Sequence, residues 1–328
     1  MKLFIFLRKK VDSNCDPFPI LTEFNYYVLG NFNLPKYPVI LNSSEYGFFS
    51  NFIGVLGYLD FCEKNGYKPD IRFTTGCYLD KDLGSNWYLY YFEHTAESSK
   101  DSISYTDQYQ DNTYLDTLPF SNYARSFLTL QHKNYLFNKY VKIKDSISEY
   151  VSYFIENEFN GFFVVGCHIR GTDKVIESKF VNSENIFFEE IDRKIKNREK
   201  YKIFLATDDT GYFLKFKKKY GDKLIYINHF KSDKEAVHLN KNNQGYEIGR
   251  QVLVDSLVLS KCDYFIGSRS NVSHAVIIFN PDIDYKIIKK GIKYKNFFIK
   301  ILCICDNILK SKFPKIYKLL KPYFPDKK

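Results

Sequence analysis

Three apolar runs that end abruptly in polar clusters are the strongest pattern along the chain. Residues 164–167 lead into a cluster that begins at His168, residues 203–206 lead into Thr207, Asp208 and Asp209, and residues 264–267 lead into Ser268. Such runs are typical of buried strands whose ends open into a polar site. Helical patterns separate them, so the strands are expected to pair in parallel, with ligands bound outside their carboxyl ends. The sequence therefore predicts that the three clusters meet at one edge of a sheet.

The second half of the chain predicts a doubly wound α/β sheet. The expected strands are 162–169, 202–206, 223–228 and 263–267, and the expected helices are 185–200, 210–219, 246–261 and 272–279.

The first half predicts a less regular α/β unit, in which Trp87 is expected in the core. The expected strands are 26–29, 37–41 and 71–74, with a helix at 52–65 that Gly66 stops, and two further helices within 126–158. The segment 95–118 has no clear period and is expected to be an irregular surface insertion. The turn at 47–51 either holds a ligand with its backbone amides or is only a turn.

The length of 328 residues fits two domains better than one. We expect an N-terminal Rossmann-like domain at 1–155, with the irregular insertion at about 95–120. A C-terminal Rossmann-like domain at 156–285 and a basic amphipathic tail at 286–328 follow it.

The net charge of +10 is concentrated in that tail, which holds 13 Lys and two Asp. The remainder is near neutral, and this argues against a nucleic-acid-binding body. A basic amphipathic segment suits an anionic membrane surface, although it could instead bind a partner or pack back on the body. We expect a cytoplasmic protein with possible peripheral contact at the inner membrane.

The seven cysteines include no CxxC pair, and Cys167 and Cys262 lie in expected buried strand regions. We therefore expect reduced thiols in a cytosolic protein. The N-terminal apolar core, residues 3–7, is too short for the apolar region of a signal peptide. No stretch approaches the length of a transmembrane helix.

The cluster after residue 167 carries candidate binding groups. His168 and Arg170 are two residues apart on a strand and so face the same side. The five donors of Arg170 suit diphosphate oxygens, although a salt bridge to Asp173 or Asp209 is the structural alternative. His168 could be a core histidine, and Asp173 and Lys174 could be a surface pair.

The other clusters also have structural alternatives. One of Asp208 and Asp209 is expected to cap the following helix, a duty compatible with facing a ligand. Asp255 lies in a helix that is apolar on nearly every face, where a carboxylate is costly without a partner. It either caps a buried loop or binds a ligand donor, such as the ring N–H and amino group of guanine. Residues 268–273 open a helix whose amides suit a phosphate.

The sequence lacks the motifs of a dinucleotide site, a P-loop and a nucleophile elbow. The chain has no GxGxxG, no GxxxxGK[ST] and no GxSxG. No group of His, Asp and Cys has metal-ligand spacing, so we expect no obligatory metal.

The three clusters resemble the motifs of the GDP-fucose-dependent fucosyltransferases, a superfamily that includes the α-1,6-fucosyltransferases, the nodulation fucosyltransferase and the protein O-fucosyltransferases. The similar segments are His-Ile-Arg-Gly-Thr-Asp-Lys at 168–174, Ala-Thr-Asp-Asp at 206–209 and Cys-Asp-Tyr-Phe-Ile-Gly-Ser-Arg-Ser-Asn at 262–271. They occur in the same order with similar spacing, and the stretch from the first to the last spans about one third of the chain.

The resemblance implies a GT-B fold, in which two Rossmann-like domains with parallel sheets face each other across a cleft. It implies metal-independent, inverting transfer of fucose from GDP-fucose to a hydroxyl. By position, His168 and Asp255 would hold guanine. Arg170 would hold the β-phosphate, joined by Ser270 or Asn271, and Ser268 is a further candidate nucleotide-binding residue. Asp208 and Asp209 would shape the nucleotide pocket.

The chain departs from the family pattern at two positions. The family often has a second Arg where this chain has Gly171, and Glu177 stands one residue closer to Lys174 than the α-1,6 enzymes place their catalytic Glu. The candidate base is Glu177, with Asp173 second, and Lys174 is a further candidate catalytic group.

The expected function is transfer of fucose to a glycan acceptor in surface polysaccharide or lipopolysaccharide synthesis, with no nucleic-acid partner. Two alternatives are the same fold with another nucleotide sugar and a non-catalytic GDP- or glycan-binding module. A basic membrane- or nucleic-acid-binding protein is a third, disfavoured by the near-neutral body.

Overall fold

The computed structural model describes residues 39–43, 46–66, 68–93, 103–106, 124–125, 127–170, 184–228 and 245–288. The chain divides into two units, Met1–Lys289 and Lys290–Lys328, and all the described residues belong to the first. The expected strand at 26–29 and the expected tail beyond Ile288 lie outside the described residues.

A five-stranded parallel sheet organises the second half of the described chain. Its order is β6-β5-β4-β7-β8. The strands are β4 (Phe163–Ile169), β5 (Tyr201–Thr207), β6 (Leu224–Ile225), β7 (Tyr264–Ser268) and β8 (Asp284–Ile288). The helices between them are α4 (Glu184–Ile195), α5 (Thr210–Tyr220), α6 (Gly245–Leu259) and α7 (Asn271–Phe279). The predicted doubly wound parallel sheet is therefore confirmed.

A second parallel sheet lies in the first half, with the order β2-β1-β3. Its strands are β1 (Val39–Asn42), β2 (Asp70–Arg72) and β3 (Ile103–Thr106), and α1 (Phe48–Asn65) connects the first two. Two more helices follow, α2 (Leu130–Tyr140) and α3 (Asp145–Phe159). The prediction of an irregular segment at 95–118 was wrong at its centre, because β3 pairs with β1 there.

The observed α1 begins four residues earlier than predicted because the residues of its first turn pack in the aromatic core. Phe48 and Phe49 are buried, and the Phe48 amide donates to the Tyr78 hydroxyl at 2.9 Å. The amides of Ser50 and Asn51 bond to the Gly47 carbonyl. Since these amides have acceptors within the protein, the turn at 47–51 is better explained as structural. Gly66 ends the helix in a left-handed conformation, φ 70°, as predicted.

Strand β8 was not predicted, because its lysine makes it resemble the start of the basic tail. In the structure Lys286 forms an ion pair with buried Glu190 of α4. This partner offsets the charge, and the apolar residues Ile287 and Ile288 are buried. Two other boundaries also differ from prediction, since α4 ends at Ile195 and β6 is only Leu224–Ile225.

One continuous core joins α1 and α2 of the first half to α6 and α7 of the second, and a separate core lies against α4 and α5. Helix α7 packs against α1, α2 and α6. Aromatic rings dominate this contact, and the Phe52 and Phe279 rings lie 5.7 Å apart. Trp87 is buried in the same core, as predicted. The two sheets are thus held by shared packing.

The start of α6 is fixed on the first half of the chain by close backbone contact. The Tyr91 hydroxyl donates to the Tyr246 carbonyl at 2.9 Å, and the two rings stack at 5.6 Å. A side chain at Gly249 would place its Cβ 2.2 Å from the Tyr91 hydroxyl oxygen. Glycine is therefore required there for close approach.

Two further sequence predictions concern cysteines and membrane helices. Cys167 and Cys262 are buried as free thiols, and burial raises the pKa of both. Within the described ranges, no helix has both the length and the apolar character needed to cross a membrane.

Candidate functional site

The three polar clusters lie at the carboxyl ends of neighbouring strands. His168 of β4 is in register with Ala206 of β5 and with Gly267 of β7. Asp208 therefore follows the adjacent strand on one side, and Ser268 ends the adjacent strand on the other. The structure confirms that the clusters converge on one edge.

This edge contains the point where the strand order reverses. From β4 the chain moves outward through β5 to β6, and it then returns to β7 on the other side of β4. In doubly wound sheets, ligands bind in the crevice outside the strands at such a point. The crevice between β4 and β7 is thus the expected binding position, and His168 lies beside it.

The geometry of α6 and β4 places Asp255 and His168 on the same side of the sheet, at a similar distance from its carboxyl edge. A Cβ at Gly166 would lie 3.0 Å from Leu259 of α6, so this part of α6 covers β4 at Gly166. One helical turn back from Leu259 is Asp255, about 6 Å nearer the carboxyl edge. Two residues on from Gly166 is His168, about 6.6 Å nearer the same edge. The site can therefore present both side chains to one ligand group.

Helix α7 begins directly at the crevice. The Ser270 hydroxyl caps it by accepting from the Ser273 amide at 3.1 Å. The amides of Asn271 and Val272 have no acceptor within the helix, by the geometry of a helix start. Such amides, with the helix dipole, favour a bound anion.

Ser268 adds a hydroxyl to the same place. Its side chain is 4% exposed, and its oxygen is buried with no hydrogen-bond partner among the described residues. An unsatisfied buried hydroxyl costs about 1–3 kcal/mol, a cost that a polar ligand would remove.

Arg170 follows β4 and lies near the first half of the chain. Burial raises the pKa of the Tyr78 hydroxyl, and the charge of Arg170 offsets part of that rise. The backbone of Tyr78 also packs against Gly245, where a Cβ would lie 2.7 Å from the Tyr78 carbonyl carbon. The segment around Tyr78 therefore forms part of the wall beside Arg170.

Asp209 caps the N-terminus of a helix. Its carboxylate accepts from the Tyr212 amide at 2.9 Å and caps α5. The prediction that one of the two aspartates caps this helix is confirmed. Asp208 lies beside it, partly exposed at the same edge.

The structure does not describe the candidate base and its neighbours. Asp173, Lys174 and Glu177 lie outside the described residues, so their roles stay predictions. In the described part of the chain, no cluster of three His, Cys, Asp or Glu side chains could hold a metal ion.

Sequence reasoning missed two residues at this edge. Tyr78 had no motif to mark it, because only the folded chain brings it near Arg170. Ser273 stands three residues after Ser270, the spacing of a helix cap and its amide donor, and this spacing was a usable signal. Its Oγ lies 3.2 Å from the His168 Nδ1, and this contact depends on the pairing of β4 with β7.

Part of the chain is similar to a family of fucosyltransferases. A family model described as "Alpha-(1,6)-fucosyltransferase N- and catalytic domains" matches residues 123–273, which include all three polar clusters. A comparison with curated protein sequences finds no match.

Solved structures of fucosyltransferases have a similar fold. NodZ alpha-1,6-fucosyltransferase soaked with GDP-fucose aligns with a TM-score of 0.53 and 13% identity, covering 78% of this chain and 96% of that chain. Fucosyltransferase NodZ from Bradyrhizobium gives a TM-score of 0.52 and 14% identity, covering 77% and 96%. NodZ co-crystallised with GDP gives a TM-score of 0.50 and 14% identity, covering 77% and 95%.

These findings confirm two expectations. The fold is GT-B, with Rossmann-like parallel sheets, and the resemblance to the fucosyltransferase superfamily holds beyond the three motifs. The family match and the fold together point to a glycosyltransferase.

Proposed function

We propose that the chain transfers fucose from GDP-fucose to a hydroxyl of a glycan, with inversion and without a metal ion. The observation that carries this proposal is the group formed by His168, Asp255, Arg170 and the start of α7 at the crevice between β4 and β7. The choice of donor is supported by the similar fold of NodZ alpha-1,6-fucosyltransferase, whose crystal structure was determined after soaking with GDP-fucose.

The guanine base is assigned to His168 and Asp255. Both side chains lie at one height on the same side of β4, as the contact of Gly166 with Leu259 indicates. A carboxylate only accepts hydrogen bonds, and guanine presents a ring N–H beside an amino group. Asp255 thus suits this edge of the base better than any edge of adenine or uracil, neither of which has two adjacent donor groups.

The diphosphate is assigned to Arg170 and the start of α7. The guanidinium offers donors in a fixed fork, and the amides of Asn271 and Val272 add a helix N-terminus. The buried Ser268 hydroxyl would gain a partner in a phosphate oxygen. Negative charge grows on the diphosphate as GDP leaves, so these groups stabilise the transition state.

The chemical step needs a base on the acceptor side. Glu177, or Asp173 in its place, would remove the proton of the acceptor hydroxyl as its oxygen attacks the anomeric carbon. The bond to GDP breaks on the opposite face, and this inverts the configuration of the sugar.

Calorimetric titration of GDP, ADP and UDP in EDTA tests the nucleotide site. We expect GDP to bind more tightly than ADP and UDP, and Asp255→Asn to lose that preference. Asp222→Asn, on the exposed segment after α5, is the matched control and should bind as the wild type. Equal binding of all three nucleotides by the wild type would overturn the assignment.

Turnover of GDP-fucose tests the role of Arg170. We expect Arg170→Ala to lower kcat by about 10² while the protein stays folded, by analogy with losing one preorganised donor. Arg198→Ala is the control, because Arg198 precedes β5 at the opposite edge of the sheet, where it covers the Phe163 ring. A folded Arg170→Ala enzyme with near-normal kcat would contradict this role.

The same assays separate two rival functions. Guanine-selective binding with turnover of a different GDP-sugar would indicate the same fold with another donor. Guanine-selective binding without donor hydrolysis or transfer would indicate a non-catalytic module, the interpretation suggested by the shifted position of Glu177.

The proposed setting is the cytoplasmic face of the inner membrane, in surface polysaccharide or lipopolysaccharide synthesis. The support is the charge of residues 286–328, with 13 Lys and two Asp. We expect the full chain to sediment with vesicles that contain anionic lipid and not with neutral vesicles, and to be released by salt. Equal recovery with both kinds of vesicle would argue against this location.

A further inference from the structure

Three buried polar groups surround the hydroxyl of Ser273. The His168 Nδ1 lies 3.2 Å from the Ser273 Oγ, and the Ser270 Oγ lies 3.3 Å from it. The Ser273 Oγ lies 2.7 Å from the Ser268 carbonyl oxygen. The Ser273 side chain is 0% exposed and that of His168 is 7% exposed, so bulk water does not compete for these bonds.

Only the Ser268 carbonyl oxygen can accept the hydroxyl proton of Ser273 while the contacts with His168 and Ser270 are also kept. A carbonyl oxygen can only accept, so the 2.7 Å contact requires Ser273 to donate to Ser268. Its lone pairs must then accept from the other two neighbours. His168 therefore carries a proton on Nδ1, and in the neutral ring the lone pair is on Nε2.

The backbone preserves room for this arrangement. A Cβ at Gly267 would lie 2.5 Å from the Ser273 Oγ and 2.6 Å from the Phe265 ring. Glycine within a strand often marks such a close approach. Gly267 is also the β7 residue in register with His168, so the small residue, the histidine and the serine meet at one level.

We propose that Ser273 is a positioning residue that fixes His168 in the tautomer with Nδ1 protonated, so that any contact of Nε2 with the nucleotide is made as a hydrogen-bond acceptor. This inference rests on the proposed function for the identity of the ligand. It adds a second acceptor at the height of Asp255. A pocket with two acceptors at one level selects a base edge with two adjacent donor groups, as guanine has and adenine and uracil lack.

The tautomer can be measured without any nucleotide. Two-bond ¹H–¹⁵N correlation spectra of full-length protein labelled on histidine distinguish Nδ1–H from Nε2–H, and the signals that vanish in His168→Asn identify His168. We expect wild-type His168 to be the Nδ1–H form. A wild-type ring protonated on Nε2 alone would overturn the proposal, whatever any variant does.

Variants then test whether Ser273 sets that form. We expect Ser273→Ala to give a mixture of tautomers and to weaken GDP binding about tenfold, the equivalent of one lost hydrogen bond. Ser256→Ala is the matched control, because Ser256 is also fully buried but its hydroxyl donates to the Val252 carbonyl of its own helix. It should change neither measurement. An unchanged tautomer in folded Ser273→Ala would refute the role of Ser273.

The design separates this inference from the proposed function. If His168 is the Nδ1–H form and Ser273→Ala alters it, but GDP does not bind the wild type, then the proposed nucleotide site fails and the hydrogen-bond assignment stands. If GDP binds selectively and Ser273→Ala leaves both the tautomer and the affinity unchanged, the inference fails and the proposed function stands.

Discussion

At the scale of single residues, Asp209 shows how a cap can be separated from a ligand contact. Its carboxylate caps α5 by accepting from the Tyr212 amide. Asparagine caps helices about as well as aspartate, whereas alanine does not. We expect Asp209→Ala to lower the free energy of unfolding by about 1 kcal/mol and Asp209→Asn to change it by a few tenths. Urea denaturation measures both.

The same pair of variants tests the ligand role. If Asp209 also shapes the nucleotide pocket, Asp209→Asn should weaken GDP binding while its stability stays normal. Normal GDP affinity in Asp209→Asn would limit this residue to capping.

Gly249 tests the contact between α6 and the first half of the chain. A Cβ there would lie 2.2 Å from the Tyr91 hydroxyl oxygen and 2.6 Å from the adjacent ring carbon. We expect Gly249→Ala to cost about 1–3 kcal/mol of stability, since overpacking a buried contact is destabilising. Tyr91→Phe alone should cost about 1 kcal/mol, because it loses the bond to the Tyr246 carbonyl.

The double variant gives the decisive comparison. Once Gly249→Ala has displaced Tyr91, removing the hydroxyl should cost little or partly relieve the clash, so the two effects should not add. Strictly additive effects in thermal denaturation would show that the two residues do not meet as the structure has them.

The sequence identified the residues at the carboxyl edge of the five-stranded sheet better than it identified the contacts between them. His168, Arg170 and Ser268 stand at strand ends, and the alternation of strands and helices is enough to bring such positions together. The bond from His168 to Ser273 could not be predicted, because it depends on a separation of 3.2 Å between two elements that are far apart in the chain. Such distances are set by tertiary packing, and the pattern of apolar and polar residues along the chain does not specify them.

At the scale of elements, one buried carboxylate joins α4, β7 and β8. Glu190 of α4 is 3% exposed and accepts from the Tyr264 hydroxyl at 2.6 Å. It also forms ion pairs with Arg193 and Lys286. Burial alone would raise the pKa of Glu190, but these donors outweigh it and lower the pKa to about 2.

The lowered pKa gives stability with a definite pH dependence. The ordinary value is 4.5 and the folded value is about 2. The contribution is therefore complete above about pH 4.5 and is lost as the pH falls towards 2. We expect Glu190→Gln to be less stable than the wild type by about 2 kcal/mol at neutral pH. The difference should shrink across this acid range in urea denaturation.

A neighbouring residue gives the control for this prediction. Glu189 stands next to Glu190 on α4 but is exposed. Glu189→Gln should change stability by less than about 0.5 kcal/mol at every pH. A Glu190→Gln deficit that stayed constant from pH 7 to pH 3 would show that the ionised carboxylate is not what stabilises this junction.

The same junction explains which elements escaped prediction. Strand β8 contains Lys286, whose exposed side chain forms an ion pair with Glu190 of α4, nearly one hundred residues earlier. Strand β3 lies in a polar segment without period, and it forms a strand because β1 offers it a parallel partner. The long apolar strands β4, β5 and β7 needed no such partner to be recognised. Short edge strands are set by tertiary pairing and are therefore poorly marked in sequence.

At the scale of the whole described unit, the two sheets share one core. Phe52 of α1 lies 5.7 Å from Phe279 of α7 and 5.7 Å from Phe92, measured between ring centroids. Phe137 of α2 lies 4.7 Å from the same Phe279. Because α7 starts at the candidate site, the position of that site depends on packing with helices of the first half of the chain.

A shared core predicts that both halves lose structure together. We expect Phe52→Ala to cost about 3–5 kcal/mol, the usual range for deleting a buried ring. Trp87 is the only tryptophan and reports on the first half by its fluorescence, while hydrogen exchange of β5 and β7 reports on the second. Both midpoints should fall by the same amount in urea.

Leu214 provides the control that makes this test specific. It is 57% exposed on α5, so Leu214→Ala should leave both midpoints within about 0.5 kcal/mol of the wild type. If Phe52→Ala shifted only the Trp87 signal, the halves would unfold separately, and the crevice between β4 and β7 could form without the first half. If both signals shift together, a substitution far from the nucleotide can weaken GDP binding through stability alone. Every binding variant of this protein should then be judged against its own denaturation midpoint.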